Sequence, residues 1–485
     1  MSSVRRSTLK SIDPKSLDEI NPFVKLVHNQ AIVEVPELTL ESGITIRNFP
    51  IAYKTWGELN EAGNNVLVIC HALTGSSDVA DWWGPLLGKD LAFDPSRFLI
   101  VCLNSMGSPY GSFSPLSIDS ETGERYGPEF PLCTVRDDVR AHKLVLDSLG
   151  VKSIACVIGG SMGGMLALEW TMTFGKEYVK NMVALATSAR HSAWCISWSE
   201  AQRQSIYSDP KYLDGYYYLD DPPVVGLSAA RMSALLTYRS RNSFENKFAR
   251  RSPSLAQQLK SNKKTELAKP SNLQEHNLSI HNDGNSKSIG AERKSSVCSE
   301  ASSSESLKSV SSCTSSTSLS TFPKPHHSVK PAQTYFSAQS YLRYQGEKFV
   351  KRFDANCYIS ITRKLDTHDL ARDRPEYDSD VVKVLNSIEQ PSLIIGIKSD
   401  GLFTYPEQEF LAEHIPGSTL EKIDSIEGHD AFLLEFKLIN ELIVNFLRKN
   451  ARELMEAPSR LWQGDENIEV VKNSVFGEAE EVTNW

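Results

Sequence analysis

The turn Gly159-Gly160-Ser161-Met162-Gly163 sets one serine among small residues in the spacing G-x-S-x-G. A serine hydroxyl is a weak nucleophile near neutral pH; it needs a base to take its proton and a carboxylate to orient that base. Where such a turn joins a strand to a helix, the partners follow in the order Ser, Asp or Glu, His, each on a loop after a later strand. Asp400 fits the carboxylate, in Lys398-Ser399-Asp400-Gly401 directly after the apolar run Ser392–Ile397. His429 fits the base, in Glu427-Gly428-His429-Asp430, between the last strand-like run and the last helical pattern. Either residue alone is an ordinary loop aspartate or helix-start histidine; the order and stations of all three point to acyl chemistry. An oxyanion needs two backbone N–H donors, one from the residue after the nucleophile. Met162 is that residue, and Leu73, in His71-Ala72-Leu73-Thr74-Gly75 after an early strand, is the expected second donor. Thr74 is a candidate either for substrate contact or for holding that turn. A phosphate-binding turn is the rival reading, but no G-x-G-x-x-G and no Walker lysine accompanies the motif.

The surrounding pattern has the elements such a site needs. Val66–Cys70, Phe98–Cys102 and Ile154–Ile158 are short apolar runs bounded by turn residues, as buried parallel strands should be. Arg136–Leu149 has helical apolar spacing and is closed by Gly150. A buried helix over Met165–Phe174 and a strand over Met182–Ala186 follow. The alternation resumes with the strand Ser392–Ile397, a helix over Glu407–His414, a strand around Leu420–Ile423 and a long helix from Ala431 to about Lys449. Alternating strands and helices predict an α/β fold, a mostly parallel sheet covered on both faces. The expected layout is an N-terminal extension (1–35), a first core segment (36–190), a helical cap (191–250 and 334–380), a second core segment (381–455) and a tail (456–485). The cap segments are rich in Trp, Tyr, Arg and Met. Residues 251–333 interrupt them; about half of the positions from Ser295 to Ser320 are serine, a composition expected to stay disordered because it buries too little apolar surface. His326-His327 within it reads as a solvated loop rather than a metal site.

Composition sets outer limits. At 485 residues with 40% hydrophobic and 23% charged residues, the chain is an ordinary globular protein. A net charge of −8 argues against a generic nucleic-acid or membrane-surface binder. No run approaches the roughly 18 apolar residues of a membrane span. The first residues carry charge without an apolar stretch, unlike a secretory signal. Eight cysteines without CxxC or Cys/His metal spacing read as reduced thiols of a cytosolic protein.

His71–Gly75, Asp81-Trp82-Trp83-Gly84, Asn104-Ser105-Met106-Gly107-Ser108-Pro109, Gly159–Gly164 and Gly428–Phe432 together closely resemble the homoserine O-acetyltransferases of the fungal type, in the α/β-hydrolase superfamily. The resemblance covers nearly the whole chain, including the serine-rich insertion and the tail Ser474–Trp485. It implies transfer of an acetyl group from acetyl-CoA to the L-homoserine hydroxyl by way of an acetyl-serine, a step towards methionine, with acetyl-CoA as co-substrate and no permanently bound cofactor. It further implies that Arg231 and Tyr238, in Ala230–Tyr238, and Asp430 bind the amino acid, and that the protein is a homodimer through the cap. A zwitterion does need a fixed cation and a fixed anion, and arginine grips a carboxylate with two parallel N–H groups. The plainer readings are a surface salt bridge for Arg231, core packing for Tyr238 and a helix N-cap for Asp430; Arg203 and Arg190 are alternative cations. The rival functions are a serine esterase and a transferase with another acceptor or donor, such as serine, a deacetylated antibiotic precursor or succinyl-CoA.

Overall fold

The computed structural model describes residues 9–252, 273–283, 285 and 336–460. They divide into two compact units, one holding the residues up to Lys247 and from Gln345 onward, the other Phe248–Tyr344. The first unit contains a nine-stranded sheet in the order β1-β2-β3-β5-β4-β6-β7-β8-β9. The strands are β1 (Lys10–Ile12), β2 (Ala31–Thr39), β3 (Thr45–Trp56), β4 (Val66–Cys70), β5 (Leu99–Leu103), β6 (Ile154–Gly160), β7 (Met182–Leu185), β8 (Ser392–Ile397) and β9 (Thr419–Ile423). From β5 to β9 every neighbour runs parallel, while β1, β2 and β3 extend the sheet antiparallel.

Alternate residues of each strand feed cores on opposite faces. Val66 and Val68 of β4 join one cluster, Leu67 and Ile69 the other. Helices α1 (Val135–Leu149) and α2 (Met162–Tyr178) cover the first face with Val139, Val145, Leu146, Leu166 and Trp170. Thr134 caps α1 in a reciprocal box with Asp137, and Gly150 ends it at φ 89°. The second face is covered by Phe436–Asn450 through Ile439, Ile443 and Leu447, and by Trp83. Burying each such aliphatic side chain contributes about 1.5–3 kcal/mol.

The cap segments carry helices: α3 (Ala193–Tyr207) and α4 (Val224–Tyr238) before the insertion and α5 (Ala355–Asp366) after it. In the second unit, Phe248 packs on Tyr341 at 4.9 Å and Arg343 pairs with Asp283 at 3.0 Å.

Two boundaries differ from the sequence reading. Residues 9–35, expected as an extension outside the core, supply β1 and the start of β2, with Ile32, Val33 and Val35 buried. The long helix expected from Ala431 is two helices, because Glu435 at φ −85°, ψ 48° breaks it into Ala431–Leu434 and Phe436–Asn450. Most of the serine-rich segment 251–333, with His326-His327, lies outside the described residues, as does the tail beyond Arg460; within the segment Leu273–His281 is helical.

Candidate active site

Ser161 ends β6 and opens α2 at φ 59°, ψ −125°, a left-handed conformation that costs a non-glycine residue strain. The strain is tolerated because neighbours lock the turn: the Ser161 N–H donates to the Leu185 carbonyl (2.9 Å) and the Thr187 hydroxyl to the Ser161 carbonyl (2.8 Å). Glycine is required around it for a steric reason. A Cβ on Gly159 would strike the Gly163 carbonyl, and one on Gly163 the Cys70 carbonyl at the end of β4.

His429 lies in a one-turn 3-10 segment, Gly428–Asp430. Its Nε2 is 2.9 Å from Ser161 Oγ and its Nδ1 2.7 Å from Asp400 Oδ2. The other Asp400 oxygen accepts the Leu402 and Phe403 N–H groups at 2.8 and 3.0 Å. With the Nδ1–H donating to the carboxylate, Nε2 is left to accept from the serine hydroxyl. All three residues are buried, and the imidazole is packed by the rings of Phe432 (5.2 Å), Phe403 (5.4 Å) and Tyr238 (6.1 Å).

The loop after β4 carries Leu73, the expected second oxyanion donor. The Gly75 N–H closes the turn on the Ala72 carbonyl (3.0 Å), and Leu73 and Ser161 line one pocket. Met162 is the first residue of α2, where amides have no intrahelical acceptor. Four residues given no role from sequence hold this loop and the histidine loop. His71 Nδ1 bonds the Ala72 carbonyl at 2.7 Å while its Nε2 accepts the Ser105 N–H at 3.0 Å, and burial pushes its pKa down to about 4, so the ring is a neutral strut. Arg352 donates to the Thr74 carbonyl at 3.1 Å, giving Thr74 a part in holding the turn. The Trp82 indole donates to Ser76 (3.1 Å) and that of Trp83 to Phe432 (2.9 Å), tying the Asp81–Gly84 motif to both the oxyanion loop and the histidine loop. His71, Trp82 and Trp83 lie in the quoted motifs and Arg352 in none, and the role of all four depends on contacts between distant segments.

The pocket over Ser161 has a cavity volume of about 40 Å³ and is lined from the cap by Trp198, Gln202 and Tyr238 and from the core by Leu73, His429 and Asp430. Thr74 and Arg231 are not among its lining residues. Arg231 on α4 is 2% exposed, which removes the surface-salt-bridge reading; its guanidinium lies 5.5 Å from the Tyr238 ring and 4.9 Å from Phe349. Asp430 makes no N-cap hydrogen bond; its carboxylate meets Arg239 Nε at 3.0 Å, and Arg239 also pairs with Glu427. Of the alternative cations, Arg203 is buried between Asp366 (2.7 Å) and Glu200 (2.8 Å), and Arg190 is exposed. Cys195 also lines the pocket, but burial pushes its pKa up to about 12, and its thiol donates to the Leu402 carbonyl, so it does not compete with Ser161 as a nucleophile.

Comparison with known proteins agrees with this architecture. Residues 65–288 match the alpha/beta hydrolase fold family. A homoserine O-acetyltransferase of Saccharomyces pastorianus is 72% identical over 490 residues, covering 100% of this chain and 99% of the relative. Among solved structures, homoserine O-acetyltransferase from Bacillus anthracis superposes with a TM-score of 0.66 at 20% identity, covering 87% of this chain and 98% of that one. Esterase E22 superposes with a TM-score of 0.65 at 21% identity, covering 86% and 99%, so at that distance the likeness is one of fold. The full-length identity is what decides: the chain belongs to the homoserine O-acetyltransferase family, acyltransferases built on the α/β-hydrolase fold.

Proposed function

We propose that the chain moves acetyl from acetyl-CoA to the side-chain hydroxyl of L-homoserine through an acetyl-Ser161 intermediate, supplying a step towards methionine. The observation that carries this reading is the continuous relay from Asp400 through His429 to a strained, buried Ser161, at 2.7 and 2.9 Å. In the first half-reaction His429 Nε2 takes the Ser161 proton as Oγ attacks the thioester carbonyl. The carbonyl oxygen becomes negative and is met by the N–H groups of Met162 and Leu73. Collapse breaks the C–S bond, and the departing thiolate receives the proton from His429. In the second half-reaction His429 takes the homoserine hydroxyl proton, that oxygen attacks the acetyl carbon, and Ser161 regains its proton as it leaves.

Homoserine is a zwitterion, and matching charges stand at and beside the pocket: Asp430, which lines it, for the ammonium, and the buried Arg231, next to the lining residue Tyr238, for the carboxylate. Water as acceptor would make the same triad an esterase, and the acceptor charges are what favour transfer. A steady-state assay crossing acetyl-CoA and succinyl-CoA with homoserine, serine and water tests this. Thioester cleavage should depend on homoserine; cleavage equally fast without any amino acid overturns the transferase reading. In Arg231→Ala, one equivalent of CoA should still be released in a burst while transfer to homoserine falls by about 100-fold or more, the loss of a charge-assisted bidentate contact. Equal loss in both half-reactions would instead make Arg231 structural.

Two further assignments belong to this reading. The compartment is the cytosol, supported by six described cysteines that are buried and free. The protein is a homodimer through the cap, supported by the exposed apolar side chains Trp194, Leu213, Tyr216 and Leu236. Sedimentation at twice the chain mass is expected, and Leu236→Glu should shift it towards the monomer; a wild-type monomer at micromolar concentration overturns the assignment.

A further inference from the structure

The catalytic pocket has one wall whose polar atoms the triad chemistry does not use. His191, at the entry to α3, is 8% exposed, yet neither of its ring nitrogens has a hydrogen-bond partner among the described residues. One helical turn into α3, Trp198 has its indole N–H buried and likewise without a partner among the described residues. Both side chains line the pocket that contains Ser161 and His429. His191 packs on Phe403 at 5.9 Å, and Phe403 in turn packs on the catalytic imidazole at 5.4 Å. A buried donor or acceptor left unmatched costs about 1–3 kcal/mol, so three such atoms on two residues that line one pocket call for a ligand.

The chemistry of the wall says which ligand. Burial lowers the His191 pKa to about 3, with His368 and Arg203 adding to the effect, so the ring is uncharged and offers one N–H and one lone pair. The Trp198 indole offers an N–H only. Uncharged donors and an acceptor suit an amide, which presents one C=O and one N–H; they do not suit the formal charges of an amino acid, which the proposed function assigns to Arg231 and Asp430. Between these residues the wall carries the Cys195 side chain, with Ser199 and Gln202 further along the same helix, and Trp198 packs edge-to-face on Trp194, 55% exposed, at 5.7 Å. A chain of methylenes and amides running from the buried serine to solvent fits such a wall. Resting on the transferase reading, we infer that His191 and Trp198 bind the amide groups of the thiol arm of the acyl thioester donor, and so select the donor rather than the acceptor.

Single-turnover acetylation of Ser161 by three thioesters tests this: acetyl-CoA with its full arm, S-acetyl-N-acetylcysteamine with one amide, and S-ethyl thioacetate with none. For His191→Leu and Trp198→Phe, kcat/KM with acetyl-CoA should fall about threefold to tenfold each, the range of one lost uncharged hydrogen bond. The rate with S-ethyl thioacetate and the KM for homoserine should stay within twofold of wild type. His191→Gln, which keeps a donor and an acceptor, should recover most of the loss. Equal losses with all three thioesters, or a change confined to the homoserine KM, overturn the inference. If the wild type forms no acetyl-serine from acetyl-CoA, the transferase reading falls first, and that result is visible before any variant is made. Should His191→Leu fail to fold, Trp198→Phe and His191→Gln carry the comparison: donor discrimination unchanged in both overturns it.

Discussion

Asp400 stands between Ser161 and the rest of the protein as an orienting group: one oxygen holds His429 and the other is held by the Leu402 and Phe403 amides. Asparagine at this position keeps the amide contacts if its carbonyl takes them, but its NH2 then faces Nδ1 and leaves the proton on Nε2, the wrong tautomer for a base. Asp400→Asn should therefore lower kcat by about 10⁴-fold with an unchanged thermal transition. A fall of less than tenfold would mean that the carboxylate is not what orients the imidazole. The three residues of this relay were legible because their types, order and stations after strands carry the signal without reference to any contact. The proposed substrate-binding set was legible only through resemblance. Nothing local says that Arg231 is buried among rings or that Asp430 shares its charge with Arg239. His191 and Trp198 had no signal of their own, since only the pocket makes their nitrogens conspicuous.

Among the elements, β4 to β8 could be read in sequence because fully buried parallel strands are continuous apolar runs, while β9, mostly not buried, is placed by the alternation around it. β2 and β3 could not. They are half-exposed and antiparallel, carry Pro36 and Pro50, and their ladder skips the pair Pro36 and Asn48, the latter at φ 49°; proline inside a run argues against a strand. The joint between cap and core is equally invisible to local pattern. Lys364 on α5 and Asp138 on α1 are both fully buried and pair directly, and each also bonds the backbone of Met106, the lysine to its carbonyl (2.7 Å) and the aspartate to its N–H (2.9 Å). A second joint runs through Glu169, which sits between Arg136 and Arg374; burial pushes its pKa up, but the two guanidinium groups outweigh it and hold the carboxyl below its usual range. Breaking one half of a buried pair costs about 3–5 kcal/mol, because a charge is left uncompensated. Lys364→Met should lose that much in urea unfolding. Lys364→Met with Asp138→Asn, which removes the stranded charge and keeps the contact with Met106, should recover at least half. A double variant no more stable than the single one would show that packing around the methylenes, not charge, makes this joint.

Over the whole molecule, acid should loosen what these joints hold. Four histidines, His71, His142, His191 and His368, are held neutral because burial lowers their pKa values to about 4, 4, 3 and 4. Asp138 acts on His71 and His142 in the opposite direction and Glu169 on His368, but burial outweighs both. A histidine in the unfolded chain titrates near 6.5. Above that pH both states are neutral and the stability contribution is complete; as pH falls from 6.5 towards 4, the unfolded chain takes protons that the folded one refuses, and stability drains away. Each histidine contributes up to about 1.4 kcal/mol per pH unit inside that window. Glu407 opposes them. Burial, reinforced by Asp400, raises its pKa to about 7, so the folded chain keeps a proton that the unfolded chain releases between 4.5 and 7, and this one group gains stability as pH falls. Asp137, Asp354 and Asp366 are raised as well and act in the same sense over a lower range. Between pH 6.5 and 5 the four histidines outweigh the single glutamate, so the free energy of unfolding should fall over that interval. His142→Asn with His368→Asn leaves the triad and its pocket untouched and removes two of the four protons. Its fall between pH 7 and 5, read from urea midpoints, should be about a third of the wild type's, because two histidines are gone while Glu407 still opposes the remaining two. An unchanged slope would assign the acid sensitivity to the buried carboxylate joints instead.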